Sequence, residues 1–204
     1  ADAQVKRVKN VDRRKGLSLV IAVFVVILLV ANFPFGTIGA GERGIQLRFG
    51  AVTGKIFDEG LYFRIPLVEK VRTIDVKIQK DEVDASAASK DLQTVSSVVA
   101  LNYHLDPEGV ANLYQEVGVQ YNSRIIAPAL QETVKAATAQ FTAEELITKR
   151  PEVREKIKEL LSEKLVQRGI LLDDFNIVSF DFSKTFNEQF DVLMKSVPQI
   201  GAFN

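Results

Sequence analysis

Several residue types that carry protein chemistry are scarce or missing in this 204-residue chain. There is no cysteine and no tryptophan, and there is one histidine, His104. Without cysteine the chain can form neither a disulfide bond nor a thiolate. Because His104 lies on the polar face of a predicted strand, without cysteine or a second histidine, a metal site or a catalytic triad is not expected. We therefore predict a non-enzymatic protein with no catalytic residue, metal ligand or cofactor.

Two weaker chemical patterns have simpler explanations. Ser96 and Ser97 could nominally join a lysine in a Ser–Lys dyad, but the alternation of their strand already accounts for them. The acidic pairs at residues 81–82 and 173–174 could attract a hard cation. Further oxygen ligands at loop spacing are missing, so solvated turns are the simpler interpretation.

Charge is absent from residues 16–41, and this gap contains a strongly apolar run. Twelve of the fifteen residues at 17–31 are Leu, Ile, Val or Phe. At about 0.3–0.6 kcal/mol per apolar residue, they favour membrane insertion by roughly 4–7 kcal/mol. A helix is the viable single-pass form, because an isolated strand leaves its backbone unpaired in hydrocarbon. The residues expected to anchor the chain are Leu17, Leu19, Val20, Ile21, Phe24, Ile27, Leu28 and Leu29.

The length of the apolar run sets the bounds of the predicted transmembrane helix. Fifteen residues span only about 22 Å at 1.5 Å per residue. Reaching a hydrocarbon core of about 30 Å requires the neutral extension to residue 38, so we predict a helix over 16–38. A cleaved signal peptide is an alternative, but Ile38-Gly39-Ala40 fits a cleavage site poorly. A buried helix of a soluble protein is a second alternative, and an uncleaved signal-anchor is the preferred interpretation.

The distribution of charge predicts the topology. Residues 1–15 contain six basic and two acidic residues, a net charge of +4, whereas residues 41–204 contain 20 basic and 24 acidic residues, a net charge of −4. The positive-inside rule keeps the N-terminus in the cytoplasm and places the following domain on the opposite side. An acidic domain argues against nucleic acid as a partner. We expect a bacterial cell membrane, with the mitochondrial inner membrane as the alternative.

After the apolar run, hydrophobic periodicity predicts an α+β domain. Short alternating runs at 45–49, 61–65 and 68–76 indicate an antiparallel β-meander, followed by an extended edge and a loop over 77–90 and a clear strand over 93–105. Helices are predicted over 107–117, 120–140, 142–148 and 151–169, the third opened by a Thr142/Glu145 capping box. A last strand is predicted over 170–182. The resulting segments are a basic tail (1–15), a transmembrane helix (16–38), a linker (39–43), a domain (44–183) and a short terminal helix with its tail (184–204).

Six short motifs in this domain resemble those of the band 7 (SPFH) domain of the stomatin–prohibitin–flotillin superfamily, most closely its prohibitin branch. They are GIQLRFG from residue 44, GLYFRIP from 60, SKDLQ from 89, RIIAP from 124, ELITKR from 145 and GILLDD from 169. The resemblance implies an antiparallel meander with flanking helices. It also implies a membrane scaffold that self-associates or joins a related band 7 protein and organises membrane microdomains. A regulatory partner of a membrane-bound AAA-type protease is the alternative.

Two expectations about surfaces accompany this interpretation. Contact with the bilayer surface is expected from Phe33, Phe35, Leu61, Tyr62 and Phe63. Phe33 and Phe35 follow the apolar run and suit the interface, where aromatic rings collect, and the apolar strand that contains Leu61, Tyr62, Phe63 and Ile65 belongs to a meander expected just outside the bilayer. Self-association is expected to involve Arg154, Lys158 and Glu159 on the polar face of the helix predicted over 151–169. Prohibitins continue into a long coiled coil, and we expect that coiled coil to be absent or truncated here, because the last residues contain no heptads.

Overall fold

The computed structural model describes residues 16–27 and 33–182, and these residues form an α+β protein with two compact units. The first unit contains the residues up to Ala40 together with Gly44–Thr73. The second contains Gly41–Arg43 and the chain from Ile74 onward.

The first unit combines one helix with short strands. Helix α1 covers residues 16–27, and all its side chains are exposed. The strands that lie wholly or mostly in it are β1 (Phe35–Ile38), β2 (Glu42–Arg48), β3 (Ala51–Phe57), β4 (Gly60–Phe63) and β5 (Glu69–Asp75). Strands β1 and β4 pair antiparallel as a two-stranded sheet, and a second sheet has the order β3-β2-β5.

Three expectations for this region need correction. Within residues 16–27 and 33–182, no helix is both long enough and apolar enough to cross a membrane. The C-terminal bound predicted for the transmembrane helix, residue 38, is wrong. Phe35–Ile38 forms a strand that pairs with Gly60–Phe63. The expected linker at 39–43 already includes the start of β2. The strands also do not form one meander, because β5 joins β2 rather than its predecessor β4.

The second unit is built on a three-stranded antiparallel sheet of order β6-β7-β8. Its strands are β6 (Gln79–Ala88), β7 (Thr94–Leu105) and β8 (Ile170–Phe182). Its helices are α2 (Val110–Val117), a π-helical turn (Asn122–Ile126), α3 (Ala127–Thr138), α4 (Ala143–Thr148) and α5 (Arg150–Val166). Helix α3 packs against β6, and α5 packs against both α3 and β8. The side chains that fill this core include Val99, Leu101, Leu105, Leu130, Val134, Ile157, Leu161, Leu165 and Phe175.

Local sequence signals locate most elements of this unit. The capping box is confirmed: Thr142 Oγ1 accepts a hydrogen bond from the Glu145 amide at 3.2 Å, and a Glu145 carboxylate oxygen accepts the Thr142 amide at 3.0 Å. Pro151 lies in the first turn of α5, where a missing N–H costs no helical hydrogen bond, and Pro128 lies at the start of α3, directly after the π-helical turn. The loop predicted at the end of residues 77–90 begins later than expected. The small residues up to Ala88 belong to β6 and pair with β7, where Ala88 lies opposite Thr94.

Candidate membrane-contact surface

Four of the five residues expected at the bilayer surface lie together on the first unit. The pairing of β1 with β4 places Phe35 opposite Phe63, with ring centroids 5.4 Å apart. Phe33 extends this cluster, because its ring centroid lies 5.6 Å from that of Phe35. Leu61 lies two residues before Phe63 on β4, and all four side chains are exposed. They form an exposed apolar surface, which we call the aromatic surface (Phe33, Phe35, Leu61 and Phe63).

Tyr62, the fifth residue, is not brought together with the others. Successive side chains of a strand point to opposite faces, so Tyr62 points away from Leu61 and Phe63. Its half-buried ring lies over Gly36, where an added Cβ would clash with it, and packs 5.4 Å from the Phe57 ring. Tyr62 therefore holds β4 against β1 rather than adding to the aromatic surface.

The residues expected to anchor the chain are only partly described. Leu17, Leu19, Val20, Ile21, Phe24 and Ile27 lie on α1, and every one of them is exposed. Leu28 and Leu29 lie outside the described residues.

Beyond α1, three further exposed apolar residues of the first unit are Phe49, Ile65 and Leu67, of which Phe49 and Leu67 were not expected as surface contacts. Phe49 belongs to the two-residue connection between β2 and β3, where Asn-Gly is the usual pair. The Phe-Gly pair at a hairpin turn was therefore the sequence signal that could have identified Phe49 as an exposed residue. Ile65 and Leu67 lie in the loop after β4, whose conformation the sequence did not reveal.

The electrostatics of the first unit differ from those of the rest of the domain. Gly44–Thr73 contains five basic and three acidic residues, a net charge of +2, whereas residues 74–204 contain 14 basic and 20 acidic residues, a net charge of −6. Residues 33–40, which include Phe33 and Phe35, carry no charge, so the unit with the aromatic surface is the basic part of an otherwise acidic domain. Such a segment is attracted to anionic lipid headgroups.

The residues expected to mediate self-association lie on α5, and two of them have partners within the chain. Arg154 Nε donates a hydrogen bond to the Phe175 carbonyl at 2.7 Å, and its guanidinium lies 3.1 Å from Asp174. The Phe175 amide and the neighbouring Arg154 together lower the pKa of Asp174. Glu159 pairs with Lys156 at 2.9 Å on the exposed side of the helix, and Lys158 is partly exposed.

The residues considered for chemistry have structural partners instead. His104 Nδ1 lies 2.8 Å from Asp173 Oδ2 across neighbouring strands, and Ser97 Oγ donates to the Ala85 carbonyl at 3.1 Å. Asp81 accepts hydrogen bonds from Tyr103 and from the side-chain amide of Asn122. In the part of the chain that the structure describes, no group of three or more His, Asp or Glu residues could hold a metal ion.

The sequence that folds into these two units matches a known domain family. The model of the SPFH domain / Band 7 family matches residues 37–196, and the chain belongs to this family. Within the family the chain is prohibitin-like.

Several curated proteins are similar to this chain. The mitochondrial prohibitin complex protein 1 of Caenorhabditis elegans is 33% identical over 171 residues, which cover 83% of this chain and 62% of the worm protein. Prohibitin-7, mitochondrial, of Arabidopsis thaliana is 30% identical over 190 residues, 90% of this chain and 68% of that protein. Prohibitin 1 of Drosophila melanogaster is 31% identical over 171 residues, 83% and 61% respectively. The chain thus spans about two thirds of the length of these relatives.

Proposed function

We propose that this chain is a non-enzymatic, single-pass membrane scaffold that organises membrane microdomains or protein complexes through self-association. The observation that carries the proposal is the aromatic surface on the basic first unit of a prohibitin-like band 7 protein. Phe33, at one edge of this surface, follows the uncharged apolar run at 17–31 by only two residues. Anchor and surface would therefore meet the same bilayer.

The anchor in this proposal is the uncharged segment 16–32 rather than the longer segment first expected, and its 17 residues are at the lower end of the range that spans a bilayer. Its basic flank at 1–15 would stay on the cytoplasmic or equivalent side, and the band 7 domain would lie on the other side. Two of the relatives are called mitochondrial by name, which favours a mitochondrial membrane for this chain over the bacterial one first expected.

The proposed partners are the lipid bilayer and a second copy of this chain or a related band 7 protein. The name of the worm relative, a prohibitin complex protein, supports association among such proteins. Within α5, Lys158 and Glu159 are better placed than Arg154 to meet a neighbour, since Arg154 is already bound to β8. A regulatory interaction with an AAA-type protease is the alternative, and the crosslinking experiment below distinguishes it from self-association.

The native size of the detergent-extracted chain tests self-association. A scaffold should elute as a particle much larger than the 22.7 kDa monomer. Reversing the charge with Lys158→Glu should shift the particle to smaller sizes, because like charges would then face each other across the contact. The matched control, Lys135→Glu on the exposed side of α3, should leave the size unchanged.

Crosslinking in native membranes separates the two functional classes. Repeated recovery of self-contacts supports the scaffold. A monomer that crosslinks only to a membrane protease would refute self-association and favour the regulatory role.

A further inference from the structure

Phe49 and Leu67 combine two properties that rarely occur together. Their side chains are 82% and 79% exposed, and their backbones have positive φ angles of 50° and 68°. A positive φ is uncommon for any residue other than glycine, and Asn and Asp account for many of the exceptions. Within the first unit, two large apolar residues are therefore held in unfavourable backbone conformations and point into solvent, so packing does not account for them.

Phe49 occupies a position where its side chain has no structural purpose. The strands β2 and β3 are joined by Phe49 and Gly50 alone, and both have positive φ, as a type I′ hairpin turn requires. Asn-Gly is the favoured pair at such a turn, because Asn tolerates the left-handed conformation. The hairpin would therefore form more easily without this phenylalanine.

The turn at Phe49 is fastened to the loop that carries Leu67. The Phe49 amide donates a hydrogen bond to the Val68 carbonyl at 2.9 Å. The two exposed side chains thus belong to adjoining turns of one small unit, and we call them together the apolar tip (Phe49 and Leu67).

Glu69 holds the loop of the apolar tip in place. Its side chain is only 4% exposed, and one carboxylate oxygen accepts a hydrogen bond from Arg48 at 2.8 Å. The other oxygen accepts the Ile65 amide at 2.9 Å, and the Glu69 amide in turn donates to the Ile65 carbonyl at 2.9 Å. These hydrogen bonds close the loop over 65–69 and tie it to Arg48, the residue before Phe49. The Ile65 amide, followed by Arg48, lowers the pKa of Glu69, so the carboxylate is charged at neutral pH.

We propose that the apolar tip inserts into the interface of an anionic bilayer and that Glu69 is the residue that positions it. The proposal rests on the membrane function proposed above and adds a second contact, on different turns from the aromatic surface. A bilayer is favoured as the occupant because the tip belongs to the basic segment Gly44–Thr73, whose net charge is +2. Apolar side chains flanked by basic residues suit the boundary between headgroups and acyl chains.

The absence of cysteine allows the depth of each position to be measured in the full chain. Phe49→Cys and Leu67→Cys would each carry an environment-sensitive fluorophore in vesicles of phosphatidylcholine and phosphatidylglycerol containing nitroxide-labelled acyl chains. Insertion predicts a blue-shifted emission and lipid quenching at both positions. Leu92→Cys is the matched control, because Leu92 is also an exposed leucine (85%) with a positive φ of 61°, in the second unit.

A fourth label distinguishes this proposal from the membrane function itself. Quenching of a label at Phe24→Cys reports whether the apolar run has entered the bilayer. If that label is quenched while the labels at 49 and 67 remain in water, insertion of the apolar tip is refuted and insertion of the anchor is supported. If the label at 24 is not quenched, the single-pass function fails. Equal quenching at 92 would show that the fluorophore itself drives contact, which also refutes the proposal.

The positioning role of Glu69 is tested by a substitution for which this role and the change in net charge predict opposite effects on insertion. Glu69→Gln removes a negative charge, which alone would strengthen attraction to anionic lipid, but it also removes one of the two carboxylate acceptors. We expect quenching at position 67 to fall in this variant. Asp84→Asn, the removal of an exposed carboxylate from the second unit, is the control and should leave quenching at position 67 unchanged or increase it. Equal or deeper insertion in Glu69→Gln would overturn the positioning role.

Discussion

The stability of the second unit should depend strongly on Leu161. This side chain is fully buried on the face of α5 that packs against α3 and β8. Leu161→Ala removes three carbon atoms, which at about 0.8 kcal/mol each corresponds to about 2.4 kcal/mol of transfer free energy. The cavity left behind adds to this, so the free energy of unfolding should fall by about 2–5 kcal/mol.

Urea denaturation followed by far-ultraviolet circular dichroism measures this loss, since the chain has no tryptophan to serve as a fluorescent probe. With a slope of about 2 kcal/mol per molar, the midpoint should shift by roughly 1–2.5 M. Leu160→Ala is the matched control, because the neighbouring leucine is partly exposed and should cost about 1 kcal/mol or less. A loss below about 0.5 kcal/mol for Leu161→Ala, or equal losses for both variants, would refute the assigned orientation of the helix.

Three further predictions use the same measurement. Thr142→Ala should cost about 0.5–2 kcal/mol by removing the cap of α4, whereas Thr148→Ala at its exposed end should cost less; equal losses would contradict the capping role. Glu69 has a lowered pKa, so its contribution is present above the unfolded value of about 4.3 and is lost as the pH falls through the folded value. Acidification should therefore destabilise the wild type more than Glu69→Gln, and parallel pH profiles would argue against this. Tyr103→Phe should cost about 0.5–1.5 kcal/mol, because its hydroxyl donates to Asp81 at 2.9 Å; no loss would mean that this bond contributes nothing.

Helix α5 combines core packing with protection of a strand edge. Its buried stripe faces the sheet, while Arg150 and Arg154 reach the edge of β8. Arg154 donates to the Phe175 carbonyl, and Arg150 donates to the carbonyls of Ile177 and Val178. Carbonyls at a sheet edge would otherwise be available to another strand. The charged face of this helix, expected to take part in self-association, therefore also stabilises the fold of one chain.

Sequence reasoning worked best where a structure depends on residues close in the chain. The capping box at Thr142, the helix start at Pro151 and the alternation along β7 are all confirmed. Each depends on a hydrogen bond within a few residues or on a fixed side-chain period. The π-helical turn before α3 was missed, because a single inserted residue leaves almost no trace in the hydrophobic pattern.

Sequence reasoning failed where distant segments compete for the same residues. Phe35–Ile38 was assigned to a membrane helix because it is uncharged and apolar, yet it pairs with Gly60–Phe63. Strand β5 likewise joins β2, although β3 and β4 lie between them in the chain. Composition contains no information about which partner a short strand finds, because that choice depends on backbone hydrogen bonds between residues far apart in the chain.

The sequence by itself determined the family, the α+β class and the buried faces of the long elements, since periodicity and short motifs are written in consecutive residues. Only the tertiary structure decided what the apolar residues of the first unit do. Strand pairing gathered Phe33, Phe35 and Phe63 into one exposed surface and turned Tyr62 to the other face. Exposure of Phe49 and Leu67 required backbone conformations that hydrogen bonds to Val68 and Glu69 hold in place. The physical reason is that exposure depends on the path of the backbone, and here contacts remote in sequence hold that path.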